Sequence, residues 1–315
     1  HLINLEHYIS NNYAIRGYWL RCGWILMARG CPARCTFCAS CATHGYKIRE
    51  RKIEDVLDEL GMLKERYRME AFWVLDDTFV LKENRVVQFC EGLKRRKLTF
   101  IWGCQARVSF FSDKIAKILK ESGCVQVDFG VESGSQKVLK SLKKGIKVEQ
   151  TKKAFEIAHK NNLRALATIM IGNPEETWED IQMTRDLLKE IKPAYLGVGF
   201  TTPYPGTELY RQAIENKWIE PSSLNWDDTE GHNDRPVMFI NFNKEELNRI
   251  YSLLVAGSFY KTIKDYLRQR KLIIDALKMI YKNPRFSLKL TYLLLTGKEK
   301  SFINAFRKYR ITGTI

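Results

Sequence analysis

Three cysteines, Cys31, Cys35 and Cys38, stand at C-x3-C-x2-C spacing in Gly30-Cys31-Pro32-Ala33-Arg34-Cys35-Thr36-Phe37-Cys38. Thiolates this close on one loop can all face one cluster or ion. Iron–sulfur clusters are held by cysteine thiolates, usually four. With three, one iron of a [4Fe–4S] cluster keeps an open position for a substrate or cofactor. Cys41 complicates the count, because Cys38-Ala39-Ser40-Cys41 is a further C-x2-C. A closed four-ligand site, zinc or cluster, is therefore the alternative, although structural zinc usually joins two separated pairs. Five of the eight cysteines lie within twenty residues, whereas a secreted disulfide scaffold is shorter and spreads them along the chain. The expected setting is a reducing cytoplasm with a local metal site. Cys22 reads as packing. His1, His7, His44, His159 and His232 form no metal-ligand spacing.

The elements that must position this loop alternate strand and helix from Trp24 to about Asn216. Apolar runs predict strands at 24–27, 71–75, 99–104, 124–130, 165–171 and 194–200. Helical spacing predicts helices at 53–66, 82–97, between Ser112 and Gly123, at 148–159, 176–190 and 206–215. Ser112 is a candidate N-cap, with Gly123 just past that helix's end. Six βα units imply right-handed crossovers and a parallel sheet with helices outside. Six are fewer than the eight of a closed barrel, so the expected fold is α/β, a partial (β/α)6 TIM-like barrel with a C-terminal helical extension. Function then belongs on the loops after the strands. The polar clusters lie there: the cysteine loop, Asp76-Asp77-Thr78, Glu132-Ser133-Gly134-Ser135, Gly172-Asn173-Pro174-Glu175 and Pro203-Tyr204-Pro205-Gly206.

The cysteine loop, with aromatic Phe37 before its third cysteine, resembles the signature loop of radical S-adenosylmethionine (SAM) enzymes. The resemblance continues in order to about Tyr210. It runs through Leu75-Asp76-Asp77-Thr78-Phe79, Phe129-Gly130-Val131-Glu132-Ser133-Gly134-Ser135, Met170-Ile171-Gly172-Asn173-Pro174-Glu175-Glu176-Thr177 and Thr202-Pro203-Tyr204-Pro205-Gly206-Thr207. Within the superfamily these motifs look like the branch whose members carry an N-terminal cobalamin-binding domain.

The resemblance implies that Cys31, Cys35 and Cys38 hold a [4Fe–4S] cluster and that SAM takes the fourth iron. Reductive cleavage then gives a 5′-deoxyadenosyl radical that abstracts hydrogen, and the protein supplies position and exclusion of water. Phe37 is expected near the adenine. Asp76-Asp77 replace a segment that recognises the SAM amino group. Two adjacent carboxylates are costly to bury unpaired, and an ammonium compensates them; a helix N-cap at Asp77 or Thr78 is the alternative. Glu132 suits the ribose hydroxyls and Ser133 the methionine carboxylate, unless Ser133 or Ser135 merely caps the next helix. Gly172 permits flat contact with a ring, beside Asn173 and the rigid Pro174. Tyr204 suits a pocket wall or a structural turn. Arg107 faces a carboxylate of SAM or substrate, or makes a surface ion pair.

The charge narrows the partners. With 52 Lys+Arg against 36 Asp+Glu the net is +16, but residues 261–310 hold 14 Lys/Arg and 3 Asp/Glu, or +11. Residues 244–310 mix this charge with apolar side chains at helical spacing. That predicts amphipathic helices packed on the barrel, attraction to an anionic membrane surface, or, least supported, nucleic-acid binding. No apolar run is long enough for a membrane span, and composition excludes a disordered or collagenous chain. The first residues do not read as a signal peptide and lack methionine, so the chain reads as a piece or a processed product. The domains expected are a linker remnant at 1–20, a radical SAM core at 21–220, a linker at 221–243 and a basic helical extension at 244–315.

Together these features predict an enzyme, a radical SAM methyltransferase or an oxidoreductase or cyclase, in the cytoplasm or at the membrane periphery. It modifies an unactivated carbon of a lipid, tetrapyrrole or natural product, with flavodoxin or ferredoxin as reductant. No D-x-H-x-x-G motif is present, so cobalamin requires an upstream domain or a separate carrier. The competing expectations are a tRNA-modifying radical SAM enzyme and a metal-stabilised binding module.

Overall fold

A computed structural model describes residues 4–12, 14–16, 18, 20–220 and 236–255, together with Leu288 and Tyr292. The chain divides into two units, His1–Ala256 and Gly257–Ile315. The expected linker from 221 to 235, and all of the expected basic extension beyond 255 except Leu288 and Tyr292, lie outside the described residues. Within the second unit Leu288 and Tyr292 are exposed.

In the first unit the strands are β1 (Ser10–Asn12), β2 (Leu20–Ile25), β3 (Ala28–Arg29), β4 (Arg49–Glu50), β5 (Ala71–Val74), β6 (Ile101–Ala106), β7 (Cys124–Glu132), β8 (Arg164–Ile171) and β9 (Tyr195–Phe200). The main sheet runs β1-β2-β5-β6-β7-β8-β9. Pairs from β2 through β9 are parallel, and β1 adds antiparallel to the β2 edge. Sequential order with a helix in each crossover carries the winding one way, which leaves the helices on one face. This is the six-stranded parallel half-barrel expected from the alternating pattern.

The helices are α1 (Ser40–Thr43), α2 (Ile53–Tyr67), α3 (Glu83–Arg95), α4 (Asp113–Glu121), α5 (Gln136–Ser141), α6 (Val148–Lys160), α7 (Trp178–Ile191), α8 (Glu208–Glu215) and α9 (Lys244–Val255). Their apolar stripes meet the outward face of the sheet. Val56, Leu57 and Leu60 of α2 share one core with Phe72, Val74, Trp102 and Phe129. Ser112 caps α4 through Ile115 N–H (3.2 Å), and Gly123 follows the helix at φ 96°. A separate cluster, with Ile15, Cys22, Ala71 and Trp73 at its centre, packs on the opposite face. α9, at the start of the expected extension, buries Leu247, Ile250 and Leu254 in the main core.

Two departures from the expected elements bear on the site. β6 runs two residues later than its apolar run suggests, which brings Gln105 and Ala106 into the sheet. β7 extends to Glu132 through an irregularity between Gly130 and Glu132, and Glu132 sits at φ 64°. Such a bulge re-aims a side chain at a strand end.

Candidate cluster and cofactor site

The cysteine loop is a closed structure. Its stem is the antiparallel ribbon of β3 and β4, with Ala28 opposite Glu50 and Arg29 opposite Arg49. Cys31 N–H donates to the Gly45 carbonyl (3.2 Å). Gly30 lies at φ 99°, and a Cβ there would meet the Lys47 carbonyl oxygen at 2.3 Å, so glycine is required at this crossing.

The carboxylates after β5 fasten the same stem. Asp76 is 2% exposed, and its Oδ1 accepts from Met27 N–H (2.6 Å) and Ala28 N–H (2.9 Å). Burial pushes its pKa up to about 6, against the pull of those two amides. Asp77 Oδ2 accepts from Gly30 N–H and lies against His44 Nδ1, both at 2.8 Å. Neither carboxylate caps a helix. Thr78 precedes the short 3-10 turn Phe79–Leu81 without a side-chain cap bond.

The three cysteines open on one cavity at the C-terminal ends of the strands. All are half-buried free thiols. Phe37, Asp77, Thr78, Arg107 and Glu132 line the same space. Burial holds the Cys31 thiol above its ordinary pKa, and the Ala33 amide and the Arg107 guanidinium partly oppose the shift. Arg107 donates to the Lys144 carbonyl and lies 3.7 Å from Cys35 Sγ, so it makes no surface ion pair. Glu132 meets Lys144 Nζ at 2.5 Å, and both side chains are under 10% exposed. The Lys144 ammonium also stands 5.6 Å from the Phe37 ring centroid. A Cβ on Gly130 would meet Glu132 Oε1 at 2.6 Å and Lys144 Nζ at 2.7 Å, so glycine makes room for the pair.

Lys144 and His44 are among the residues at the site that spacing did not reveal. Lys144 follows Lys143 in what reads as a solvated basic run, and no local pattern announces a partner twelve residues earlier.

The other candidate residues stand outside this lining. Ser133 is buried, with its Oγ accepting from Ser135 N–H (3.1 Å) and meeting Thr184 Oγ1 (3.3 Å). Ser135 caps α5, as the alternative expected, and donates to Asp180. Asn173 is fully buried; its Oδ1 accepts from Thr201 Oγ1 and its Nδ2 donates to the Met170 carbonyl, both 2.8 Å. Gly172 donates its N–H to Glu176, and the Tyr204 carbonyl accepts from Thr207. None of Ser133, Gly172, Asn173 and Tyr204 lines the cavity.

Two observations test whether these residues fit a cluster and SAM. Cys31, Cys35 and Cys38 all line one cavity, a thiolate donor set of the kind iron–sulfur clusters take, although among the described residues no three His, Cys, Asp or Glu stand close enough to hold a single metal ion. Thr78 belongs to the cavity lining, and its Oγ1 is buried with no hydrogen-bond partner among the described residues. The donor set fits.

Comparisons with known proteins agree in scale and place. An uncharacterized methyltransferase of Pyrococcus horikoshii is 35% identical over 254 residues, covering 80% of this chain and 53% of that protein. Cytidylyl-2-hydroxyethylphosphonate methyltransferase of Streptomyces wedmorensis is 28% identical, over 70% of this chain and 43% of that one. The chain thus spans about half the length of the curated relatives it matches. The fold is shared with the radical SAM methyltransferase TsrM from Kitasatospora setae, solved with cobalamin and a [4Fe–4S] cluster bound. The TM-score is 0.60 at 18% identity, over 74% of this chain and 44% of that one. Residues 25–188, from the end of β2 through most of α7 and including every cysteine of the loop, match the radical SAM superfamily model, and the chain belongs to that superfamily.

Proposed function

We propose that this chain is the catalytic half-barrel of a radical SAM enzyme. In it Cys31, Cys35 and Cys38 hold a [4Fe–4S] cluster, and Phe37, Thr78, Arg107, Glu132 and Lys144 bind SAM beside it. When bound, the two groups supply one-electron cleavage of SAM to methionine and a hydrogen-abstracting 5′-deoxyadenosyl radical. The observation that carries the reading is the single cavity in which three free thiols meet the Arg107 guanidinium and the buried Glu132–Lys144 ion pair. The chain's own groups bind and exclude. Arg107 offers positive charge beside Cys35, Glu132 offers a carboxylate for hydroxyls, and Asp76 and Asp77 hold the loop stem in place.

The substrate is a small molecule, lipid or tetrapyrrole modified at an unactivated carbon. The methyltransferase names of the relatives support methyl transfer, with cobalamin supplied from outside the described half-barrel. Flavodoxin or ferredoxin supplies the electron in the cytoplasm. The basic stretch 261–310 supports contact with an anionic membrane surface.

Anaerobic reconstitution of the chain tests the proposal. Expected are about four irons per chain and 5′-deoxyadenosine formed from SAM on reduction. Cys31→Ala, Cys35→Ala and Cys38→Ala each abolish both. Binding of zinc alone, or no 5′-deoxyadenosine, would overturn it. A closed four-cysteine site draws support from Cys41, which lines the same cavity. Cluster loss in Cys41→Ser would establish that second reading.

A further inference from the structure

Below the cluster loop the cavity continues onto the inner face of the sheet, where no cofactor motif lies. Gln105 on β6 and Asp128 on β7 are direct neighbours across parallel strands, and Gly130 on β7 is the neighbour of Thr168 on β8. Side chains alternate along a strand, so Asp128 and Gly130 share a face. Asp128 lies two residues, about 7 Å, deeper than Gly130. Gln105, Asp128 and Thr168 all line the cavity. Gln105 and Thr168 are exposed although both belong to interior strands of a parallel sheet, which normally is covered on both faces.

The hydrogen bonds around this face fix what it offers. Gln126 Oε1 accepts from Arg16 N–H (2.8 Å), so its Nε2 must face Asp128, where it donates to Oδ1 (2.8 Å). Asp128 Oδ2 has no partner among the described residues. Thr168 Oγ1 donates its only proton to the Phe129 carbonyl (3.2 Å), which leaves it an acceptor toward the cavity. The Gln105 side chain makes no hydrogen bond among the described residues, and its Oε1 is free to accept. Three acceptors from three consecutive strands, one of them a carboxylate, suit a group with three donors and a positive charge. An ammonium has three donors and no acceptor. Burial pushes the Asp128 carboxyl up to about 6, with Gln126 and the more distant Arg16 opposing, and among the described residues no cationic side chain forms an ion pair with it. Leu75, half exposed, stands in the same cavity and offers an apolar wall to the rest of such a molecule.

We infer that Asp128, Gln105 and Thr168 form a subsite for the ammonium group of a primary-amine substrate, held on the floor of the half-barrel beneath the cluster loop. The inference deepens the proposed function and rests on it for the word substrate; the binding itself can be measured apart from any SAM chemistry. SAM also carries an ammonium, so the test must separate the two sources.

Isothermal titration calorimetry with hexylamine and 1-hexanol as probes, on the full chain before and after cluster reconstitution, makes the measurement. Wild type should bind hexylamine at least tenfold more tightly than hexanol, equivalent to about 1.4 kcal/mol. Asp128→Asn, which keeps shape and hydrogen-bonding capacity, should abolish that preference, and Thr168→Val should weaken hexylamine several-fold. The affinity for SAM, titrated into the reconstituted protein, should be the same in wild type and Asp128→Asn. Equal binding of amine and alcohol by wild type, or no saturable amine binding below about 10 mM, would overturn the subsite. A tenfold loss of SAM affinity in Asp128→Asn would overturn it in favour of the SAM ammonium. Failure to assemble a cluster with amine selectivity intact would count against the proposed function and leave the subsite standing.

Discussion

The Glu132–Lys144 pair is the most consequential single contact in the site. Both groups are buried, and desolvation on this scale is repaid only while each charge has its partner. Lys144→Met leaves a carboxylate alone beside Phe37, and breaking a buried pair from one side typically costs about 3–5 kcal/mol. Glu132→Gln combined with Lys144→Met removes both charges and should recover most of that loss. Neither protein should cleave SAM at the wild-type rate, because the donor and acceptor facing the cavity are gone. Urea unfolding of wild type, the single and the double variant checks the stability claim. A double variant as unstable as Lys144→Met would mean that packing, not charge, sets the cost. The pair depends on backbone as well as side chains. Glu132 reaches Lys144 only because the strand bulges and Glu132 turns left-handed, a conformation uncommon outside glycine.

At the scale of elements, the half-barrel was legible because it rests on periodicity. Apolar runs of period two and stripes of period 3.6 survive in the sequence, and the six βα units stand in the expected order, although the first strand runs over Leu20–Ile25 rather than 24–27 and β6 lies two residues later than its run. Cap chemistry was legible for the same local reason, as at Ser112. The roles of loop carboxylates were not, because their partners are distant in the chain. Asp76 reads as a ligand for an ammonium, yet its Oδ1 is taken by Met27 and Ala28, nearly fifty residues upstream. Ser133 and Asn173 likewise spend their hydrogen bonds on neighbouring loops and α7. The β3–β4 ribbon escaped notice because two-residue strands carry no pattern. Asp76 is therefore expected to act on the cluster through the loop stem. Asp76→Ala orphans one buried and one part-buried N–H group and should cost about 2–4 kcal/mol and lower iron incorporation. Asp76→Asn keeps an acceptor in place and should retain both. Denaturant unfolding and iron content report the two effects, and equal iron loading in Asp76→Ala would refute the link between stem and cluster.

For the whole first unit, buried carboxyls set how stability responds to pH. Glu176 is 1% exposed and accepts from Gly172 N–H (2.8 Å), Asn173 N–H (3.2 Å) and Asn173 Nδ2 (3.1 Å), holding the turn after β8. Burial nonetheless pushes its pKa up to about 7, and Asp76 and Asp128 move the same way, to about 6. A carboxyl raised in the folded state keeps its proton after the unfolded chain has released it. Its contribution is full below the unfolded value, about 4.3 for glutamate, and is lost as pH rises through 7. Asp180 acts in a different window. Burial raises it, but bonds from Lys137, Ser135 and Thr177 prevail and hold it at about 2, so its contribution is present above the usual aspartate range and lost only as pH falls toward 2. Between pH 5 and pH 8 the raised carboxyls act alone among these groups, and each can remove at most about 1.4 kcal/mol per pH unit. Glu176→Gln cannot titrate. It should be less stable than wild type at pH 5, where the protonated acid is at its best, and the gap should close by up to about 3 kcal/mol by pH 8. Unfolding free energies of the two proteins across that range decide it; parallel curves would place the proton elsewhere and leave the turn after β8 indifferent to pH.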